Sequence, residues 1–325
     1  MHVEISGLRV GTVILSFVVG LISLQLSRPA AAQTSPKFEF AKPEEVKVVE
    51  WKAQAKGGVL VTTGNSRTTN GSLGATASRK EGGNKLTLDG ALAYGKSTVF
   101  APVFGDATNP TQITDLEERS VQTTNSWLIR SRYDRFFTLN NSGYASAQAA
   151  ADKVAGKSFY GGGQVGYSRQ VLKTEMHLIV AELGYDFSYE SYVSQPNKTL
   201  DAISVHSARV FAGETLKLST ATGITASVEA LFNLNTEGKA LNVNTGTPGV
   251  DPFKDTRVVG KLGLTTTLLK SLSMSLGFTL KYDQNPAPRP VPSGSPAGSS
   301  YAPTFLPFAD KVDTLTEATL VYTFL

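Results

Sequence analysis

The sequence has no cysteine, and its 325 residues include only 3 histidines and 2 tryptophans. A disulfide framework, a zinc–thiolate site, an iron–sulfur cluster and a cysteine nucleophile are therefore excluded. So few histidines leave little for catalysis or metal binding, and no cofactor is expected. Charge is also sparse. Only 18% of the residues are charged, below the roughly 25% of soluble domains. The formal net charge of +4 is too small for a nucleic-acid footprint, so no nucleic-acid partner is expected. Beyond residue 30 no long apolar run occurs, which excludes a transmembrane helix in the body of the chain.

What is present starts with an address. Arg9, the apolar stretch Val10–Leu26 and the small residues Ala30, Ala31 and Ala32 form a secretory signal pattern over residues 1–32, with cleavage before Gln33. An uncleaved anchor is the alternative. An exported chain without cysteine suits an envelope protein that does without disulfides. Residues 33–49 are polar, carry Pro36 and Pro43, and read as a periplasmic tether.

From Trp51 onward the chain alternates with period two, the spacing of a pleated strand. Leu272, Met274, Leu276, Phe278, Leu280 and Tyr282 oppose Ser273, Ser275, Gly277, Thr279 and Lys281. Leu86, Leu88, Gly90, Leu92 and Tyr94 oppose Lys85, Thr87 and Asp89. The pattern predicts twelve strands, with ten to fourteen compatible: 50–63, 67–80, 84–96, 119–133, 136–151, 157–171, 175–192, 203–218, 222–235, 257–269, 272–282 and 311–325. These are longer than the usual strand of about 5–6 residues. They match the roughly 9–11 that a tilted strand needs to span a membrane. The predicted fold is all-β: a transmembrane antiparallel β-barrel over residues 50–325.

The connections point the same way. Those after even-numbered strands are short, such as Glu81-Gly82-Gly83, Asp134-Arg135 and Lys270-Ser271. Those after odd-numbered strands are mostly long, with external loops expected at 97–118, 236–256 and 283–310. Outer-membrane barrels combine short periplasmic turns with long outer loops, which puts both termini in the periplasm. Aromatic residues crowd at strand ends, as an interfacial girdle requires. Trp51, Tyr133, Tyr167, Tyr322 and Phe324 fall at one end, and Tyr94, Tyr185, Phe232, Phe278 and Tyr282 toward the other.

The stretch Val59–Thr68, with Thr63-Gly64-Asn65 at its turn, resembles the hairpin that opens the salt-induced outer-membrane protein family of Gram-negative bacteria, a domain family of unknown function. Trp51 and Gly57-Gly58 precede it, as in that family. Further likenesses are Arg130-Ser131-Arg132-Tyr133, the glycine-rich Gly161–Tyr167, and Gly184-Tyr185 in a strand ending Tyr189-Glu190. The resemblance implies an outer-membrane location and no established activity. The chain ends Tyr322-Thr323-Phe324-Leu325, close to the terminal aromatic that resembles a barrel-assembly signal. Expected partners are therefore outer-membrane lipids, the envelope assembly machinery and small polar solutes.

The face opposite the apolar one carries the informative charges. Lys85, Asp89, Arg130, Arg132, Glu182, Asp186, Glu190, Glu229, Lys261 and Lys281 point inward by parity. They either line a polar lumen that orients charged solutes or pair across a narrow barrel and plug it. Twelve strands give a backbone radius of only roughly 12 Å, so both readings stand. The outward or inward position of Arg209, Glu214 and His206 on their strand is not legible. Gly161, Gly163 and Gly166 match G-x-G-x-x-G, but no helix follows, so a strand is the better reading than a nucleotide loop. His177 and His206 leave room for a lipid-acting hydrolase with a serine partner, although neither G-x-S-x-G nor H-E-x-x-H occurs. Residues 283–310 are rich in proline and read as a mobile or polyproline-like outer loop. The leading expectation is a non-enzymatic barrel, a narrow channel or an envelope stress-adaptation protein. A lipid hydrolase and a scaffold with partner-binding loops are the alternatives.

Overall fold

A computed structural model describes residues 46–62, 67–104, 113–194, 200–288 and 307–324. The stretch read as a signal peptide, most of the tether and residues 289–306 of the proline-rich loop lie outside the described residues. The strands are β1 Val46–Thr62, β2 Arg67–Gly82, β3 Asn84–Phe104, β4 Ile113–Phe136, β5 Asn141–Asp152, β6 Lys157–Lys173 and β7 His177–Tyr192. They continue with β8 Ile203–Lys217, β9 Thr222–Asn233, β10 Glu237–Leu241, β11 Pro248–Val250, β12 Arg257–Leu269, β13 Leu272–Asp283 and β14 Val312–Thr323.

Twelve of these strands close into one antiparallel barrel, running β1 to β9, then β12, β13, β14 and back to β1. Closure comes from β1 pairing with β14, Gln54 opposite Thr323 through Gly57 opposite Leu320. Within the closed ring each strand is paired on both sides, which removes the template for aggregation that an open sheet presents. Among the described residues no helix is long and apolar enough to cross a membrane.

Alternation decides what faces where. On β3, Lys85, Thr87, Asp89, Ala91 and Ala93 are buried, whereas Leu86, Leu88, Leu92 and Tyr94 are exposed. On β13 and β14, Leu276, Leu320 and Tyr322 are likewise exposed. A soluble protein rarely shows so large a continuous apolar surface. A lipid-facing barrel wall requires one. The buried charged side chains, Asp89, Arg130, Arg132, Glu182 and Asp186 among them, are on the inside.

Four local expectations are corrected. First, the loop expected at 97–118 is largely strand, because β3 and β4 continue together to Phe104 opposite Ile113. Pairing of β3 with β2 stops at Thr98, and pairing of β4 with β5 stops at Ser126. The two strands thus rise past their neighbours as a ribbon. Its free edges tolerate Pro102, which a central strand would not. Second, the turn expected at Asp134-Arg135 is four residues later, at 137–140. Asp134 instead pairs with Tyr144 inside the sheet. Third, the loop expected at 236–256 contains the hairpin β10–β11. Its strands are too short for alternation to register. Fourth, the start of the proline-rich loop is packed. Asn285 and Ala287 are buried, Ala309 N–H donates to Ala287 O at 2.9 Å, and Pro288 bridges Phe308. In addition, β1 begins at Val46, within the stretch read as a tether.

The hairpin packs against the inner wall at one end of the barrel. Ile203 and Val205 face inward from β8 at the end carrying the longer loops. Ala240 and Val250 of the hairpin pack on them, with Tyr192 alongside. Asn233 pins the following loop, donating to Asp251 O at 3.0 Å and accepting from Asp255 N–H at 2.8 Å. Asn285 ties the base of the proline-rich loop to the hairpin through Leu241 O at 3.0 Å and Val243 N–H at 2.8 Å. A small apolar core thus sits inside the mouth at the loop end.

Candidate functional site

The inward wall from β3 to β9 carries a continuous belt of ion pairs. Arg130 on β4 pairs with Asp89 on β3 at 3.0 Å. Arg132 donates to Asp134 at 2.8 Å and to Glu182 on β7 at 2.7 Å. Glu182 also accepts from Arg209 on β8 at 2.8 Å, and Arg209 reaches Glu229 on β9 at 2.6 Å. Gln164 on β6 donates to Asp186 at 2.8 Å and, more weakly, to Glu229 at 3.4 Å. Ser188 donates to the other Asp186 oxygen at 2.6 Å. Burying charges costs energy unless each is paired and hydrogen-bonded. Here every carboxylate of the belt has a partner.

Glycine makes the belt possible. Arg132 stacks on the Tyr144 ring at 4.2 Å, and Arg209 donates to the Tyr144 hydroxyl at 2.7 Å. Tyr144 lies flat across β6 and β7. A Cβ at Gly166 would sit 2.6 Å from its hydroxyl, and one at Gly184 would also collide with it. Gly166, the last glycine of the G-x-G-x-x-G match, and Gly184 are therefore the floor under an aromatic side chain.

A second cluster guards the loop end. Glu190 accepts from Lys157 at 2.9 Å and from Arg257. Arg257 also reaches Asp255 at 2.8 Å and Asp283 at 3.8 Å. Asp255 lies in the loop before β12, and burial there pushes its carboxyl up to about 6, with Arg257 opposing and Asp283 and Glu190 adding to the shift. Lys281 sits opposite Asp313 on β14.

The other half of the lumen is hollow. A cavity of about 550 Å³ lies toward the turn end, against β12, β13, β14, β1 and β2. It is lined by lysines, serines and threonines, Lys56, Lys261, Thr265 and Ser275 among them, and by the β6–β7 turn at Lys173–Met176. Glycine again provides room. The Lys56 stem occupies the space a Gly74 side chain would need, with Cε 2.7 Å from the Cβ position. Glu317 occupies the corresponding space at Gly277. Lys56 and Glu317 approach to 3.9 Å.

The structure places Lys85, Asp89, Arg130, Arg132, Glu182, Asp186 and Glu190 among the buried residues, with Glu229, Lys261 and Lys281 half-buried. Eight of the ten belong to the belt or the loop-end cluster, Lys281 among them. Lys85 and Lys261 line the cavity. Parity missed Arg209, because its strand's inward face also carries the apolar Ile203, Val205 and Phe211. It missed Tyr144 in an alanine-rich strand and Asp134 in a misplaced turn.

The interface aromatics are outward. At the turn end the Tyr133 hydroxyl donates to Asn84 at 2.6 Å, the Tyr167 hydroxyl bonds to Asn141, Arg79 stands 6.0 Å from the Trp51 ring, and Tyr322 packs edge-on to Phe324 at 4.9 Å. Toward the loop end, Tyr94 lies beneath Lys96, and Phe232 and Tyr282 sit near the ends of β9 and β13. Phe278 is in the middle of β13 rather than at a rim.

Both histidines are on the outer face of neighbouring strands. His206 contacts the Tyr185 hydroxyl and the Phe187 ring at 5.2 Å. His177 Nδ1 lies 2.8 Å from Glu214 Oε1, half-exposed at the turn end. A hydrolytic triad needs a hydroxyl on the base as well. Among the described residues no serine or threonine hydroxyl bonds to either ring. Thr174 Oγ1 accepts from the His177 backbone N–H at 2.9 Å.

A closed barrel of twelve strands, apolar outside and charged inside, defines a transmembrane β-barrel of the outer-membrane type. The chain belongs to the family described as "Protein of unknown function, DUF481", which matches residues 55–324. No curated protein matches it in sequence. Among solved structures it is similar to the NanC porin, at 9% identity over 84% of this chain and 100% of that one, with a TM-score of 0.40. It is also similar to the translocator domain of the autotransporter NalP from Neisseria meningitidis, at 14% identity over 85% and 88% of the chains and a TM-score of 0.38. The outer membrane channel DcaP of Acinetobacter baumannii is 11% identical over 85% and 97%, with a TM-score of 0.32. The barrel class rests on this chain's own strand pairing, not on likenesses of that level.

Proposed function

We propose that this protein is a non-enzymatic outer-membrane barrel acting as a narrow, gated conduit for small polar solutes. The observation that carries this reading is the polar inner wall with its cavity of about 550 Å³. A barrel serving only as a scaffold would fill the same volume with packed side chains. The hairpin β10–β11 and the Arg257 cluster act as the gate at the loop end, and the belt of ion pairs narrows the passage between gate and cavity. Short turns on one side favour a periplasmic turn end, with both termini there and the cavity open toward the periplasm. Residues 1–32 act as the export signal, and the Tyr322 and Phe324 segment as the assembly signal. Loss of the belt should change conductance, so the test is a planar-bilayer recording of the mature protein. Stable ion conductance, altered by Arg130→Ala or Glu182→Ala, supports the conduit. Absence of conductance from heat-modifiable, folded barrels refutes it.

The His177–Glu214 pair favours a second reading, a hydrolase acting on lipid at the turn-end interface, since it supplies an oriented base. Ester hydrolysis by purified barrel that is lost in His177→Ala would establish that reading in place of the first. A role in envelope adaptation to salt, which the sequence resemblance suggests, would act through control of such a conduit or through its outer loops.

A further inference from the structure

Charge is distributed unevenly within the lumen. The belt on the β3–β9 wall carries three arginines against five carboxylates, Asp89, Asp134, Glu182, Asp186 and Glu229. The cavity on the opposite wall is instead rich in lysine. Seven lysines line it against three glutamates. That excess of four equals the formal net charge of the whole chain. Lys80 and Lys85 are buried, and Lys56 and Lys261 reach in from β1 and β12. Lys173 and Lys217 stand at the entrance.

Between the lysines the wall is hydroxyl-rich. Thr265 and Ser275 are 3.1 Å apart and share a hydrogen bond. Thr76 donates to Asp89 at 3.0 Å, joining the cavity to the belt. Hydroxyls both donate and accept, so they match sugar-type hydroxyls without demanding charge. The low dielectric of the protein wall strengthens the attraction for an anion over its value in bulk water. The volume lies within the roughly 300–1,000 Å³ of small-ligand pockets, too small for a folded partner or a duplex.

We infer that the turn-end cavity is a binding site for a small hydroxylated organic anion, a sugar-sized molecule carrying a carboxylate or a phosphate. This rests on the reading of the lumen as open to solutes and names the class of solute. The lysines hold the acid group, and Thr265, Ser275 and Thr76 hold the hydroxyls. The lysine excess of the cavity, rather than the acid excess of the belt, then sets the preference of the conduit for anions over cations.

The test is calorimetry on the full mature barrel in detergent, with gluconate, glucose 6-phosphate, glucose and glucosamine as probes. Gluconate against glucose 6-phosphate separates carboxylate from phosphate recognition. At least one anion should bind about tenfold more tightly than glucose or glucosamine, and should weaken as salt rises from roughly 50 to 500 mM. Lys56→Gln combined with Lys261→Gln should lower anion affinity about tenfold while heat-modifiable migration is kept. If that variant does not fold, the reversal potential of the native barrel in a salt gradient reads the same charge excess. Equal affinity for glucose and the anions, or no anion binding by folded barrel, overturns the site. Conductance without anion preference and without binding sinks the site and spares the conduit. Binding without conductance sinks the conduit and spares the site.

Discussion

Replacing Glu182 by glutamine keeps the size of the side chain and removes its charge. Glu182 is 3% exposed and accepts three hydrogen bonds, at 3.1 and 2.7 Å from Arg132 and 2.8 Å from Arg209. Charge-assisted bonds contribute about 1.5–3 kcal/mol each. Removing one partner from a buried ion pair costs about 3–5 kcal/mol, because the other charge stays buried. Both arginines keep a second carboxylate, Asp134 for Arg132 and Glu229 for Arg209. The amide oxygen of glutamine still accepts a bond. The loss expected for Glu182→Gln is therefore at the lower end, about 3 kcal/mol. Urea unfolding of the barrel in lipid vesicles measures it, followed by the fluorescence of Trp51 and Trp127. These are the chain's two tryptophans, and both are exposed on the outer face, away from the belt. A loss under about 1 kcal/mol, the range of exposed pairs, would refute the argument. It would mean that water solvates Glu182 and the belt does not narrow the lumen.

Other perturbations test other levels. Gly166→Ala forces a Cβ to 2.6 Å from the Tyr144 hydroxyl and should destabilise the barrel by about 1–3 kcal/mol in the same unfolding assay. Gly90→Ala meets nothing within 4 Å and should stay within about 0.5 kcal/mol of the native protein. Leu276→Arg puts a charge on the outer face of β13 and should cost about 2–4 kcal/mol in vesicles, while detergent should mask much of that loss. Asp255 titrates at about 6 in the closed loop against an ordinary 3.8, so the closed loop holds the proton more tightly than an opened one. Its stabilisation is complete below pH 3.8 and is lost as pH rises through about 6. Amide protection of residues 237–250 should therefore fall between roughly pH 4 and 7.5, by on the order of 2–3 kcal/mol, and Asp255→Asn should flatten the fall. Replacing residues 237–250 by a short glycine-serine linker should raise single-channel conductance. An unchanged conductance would exclude the hairpin as the gate.

Alternation alone determined which side of each clear strand meets lipid. A pleat sends neighbouring side chains to opposite faces, so Leu272–Tyr282 and Lys85–Tyr94 declared their sides without any tertiary information. The length of the strands and the sorting of turns from loops then pointed to a membrane barrel of ten to fourteen strands, and strand pairing set the number at twelve. Alternation says nothing about which inward residues meet across the lumen. Arg132 and Glu182 are 50 positions apart, and only the closure and the register of β4 through β7 bring them together. Sequence could not place Arg209, whose inward neighbours are apolar for a reason found elsewhere, since Ile203 and Val205 receive a hairpin from a distant loop. The division of the lumen into an arginine–carboxylate belt and a lysine-rich cavity is likewise a tertiary property. Parity collects the charges on one face, and the order of strands around the ring decides which of them neutralise each other.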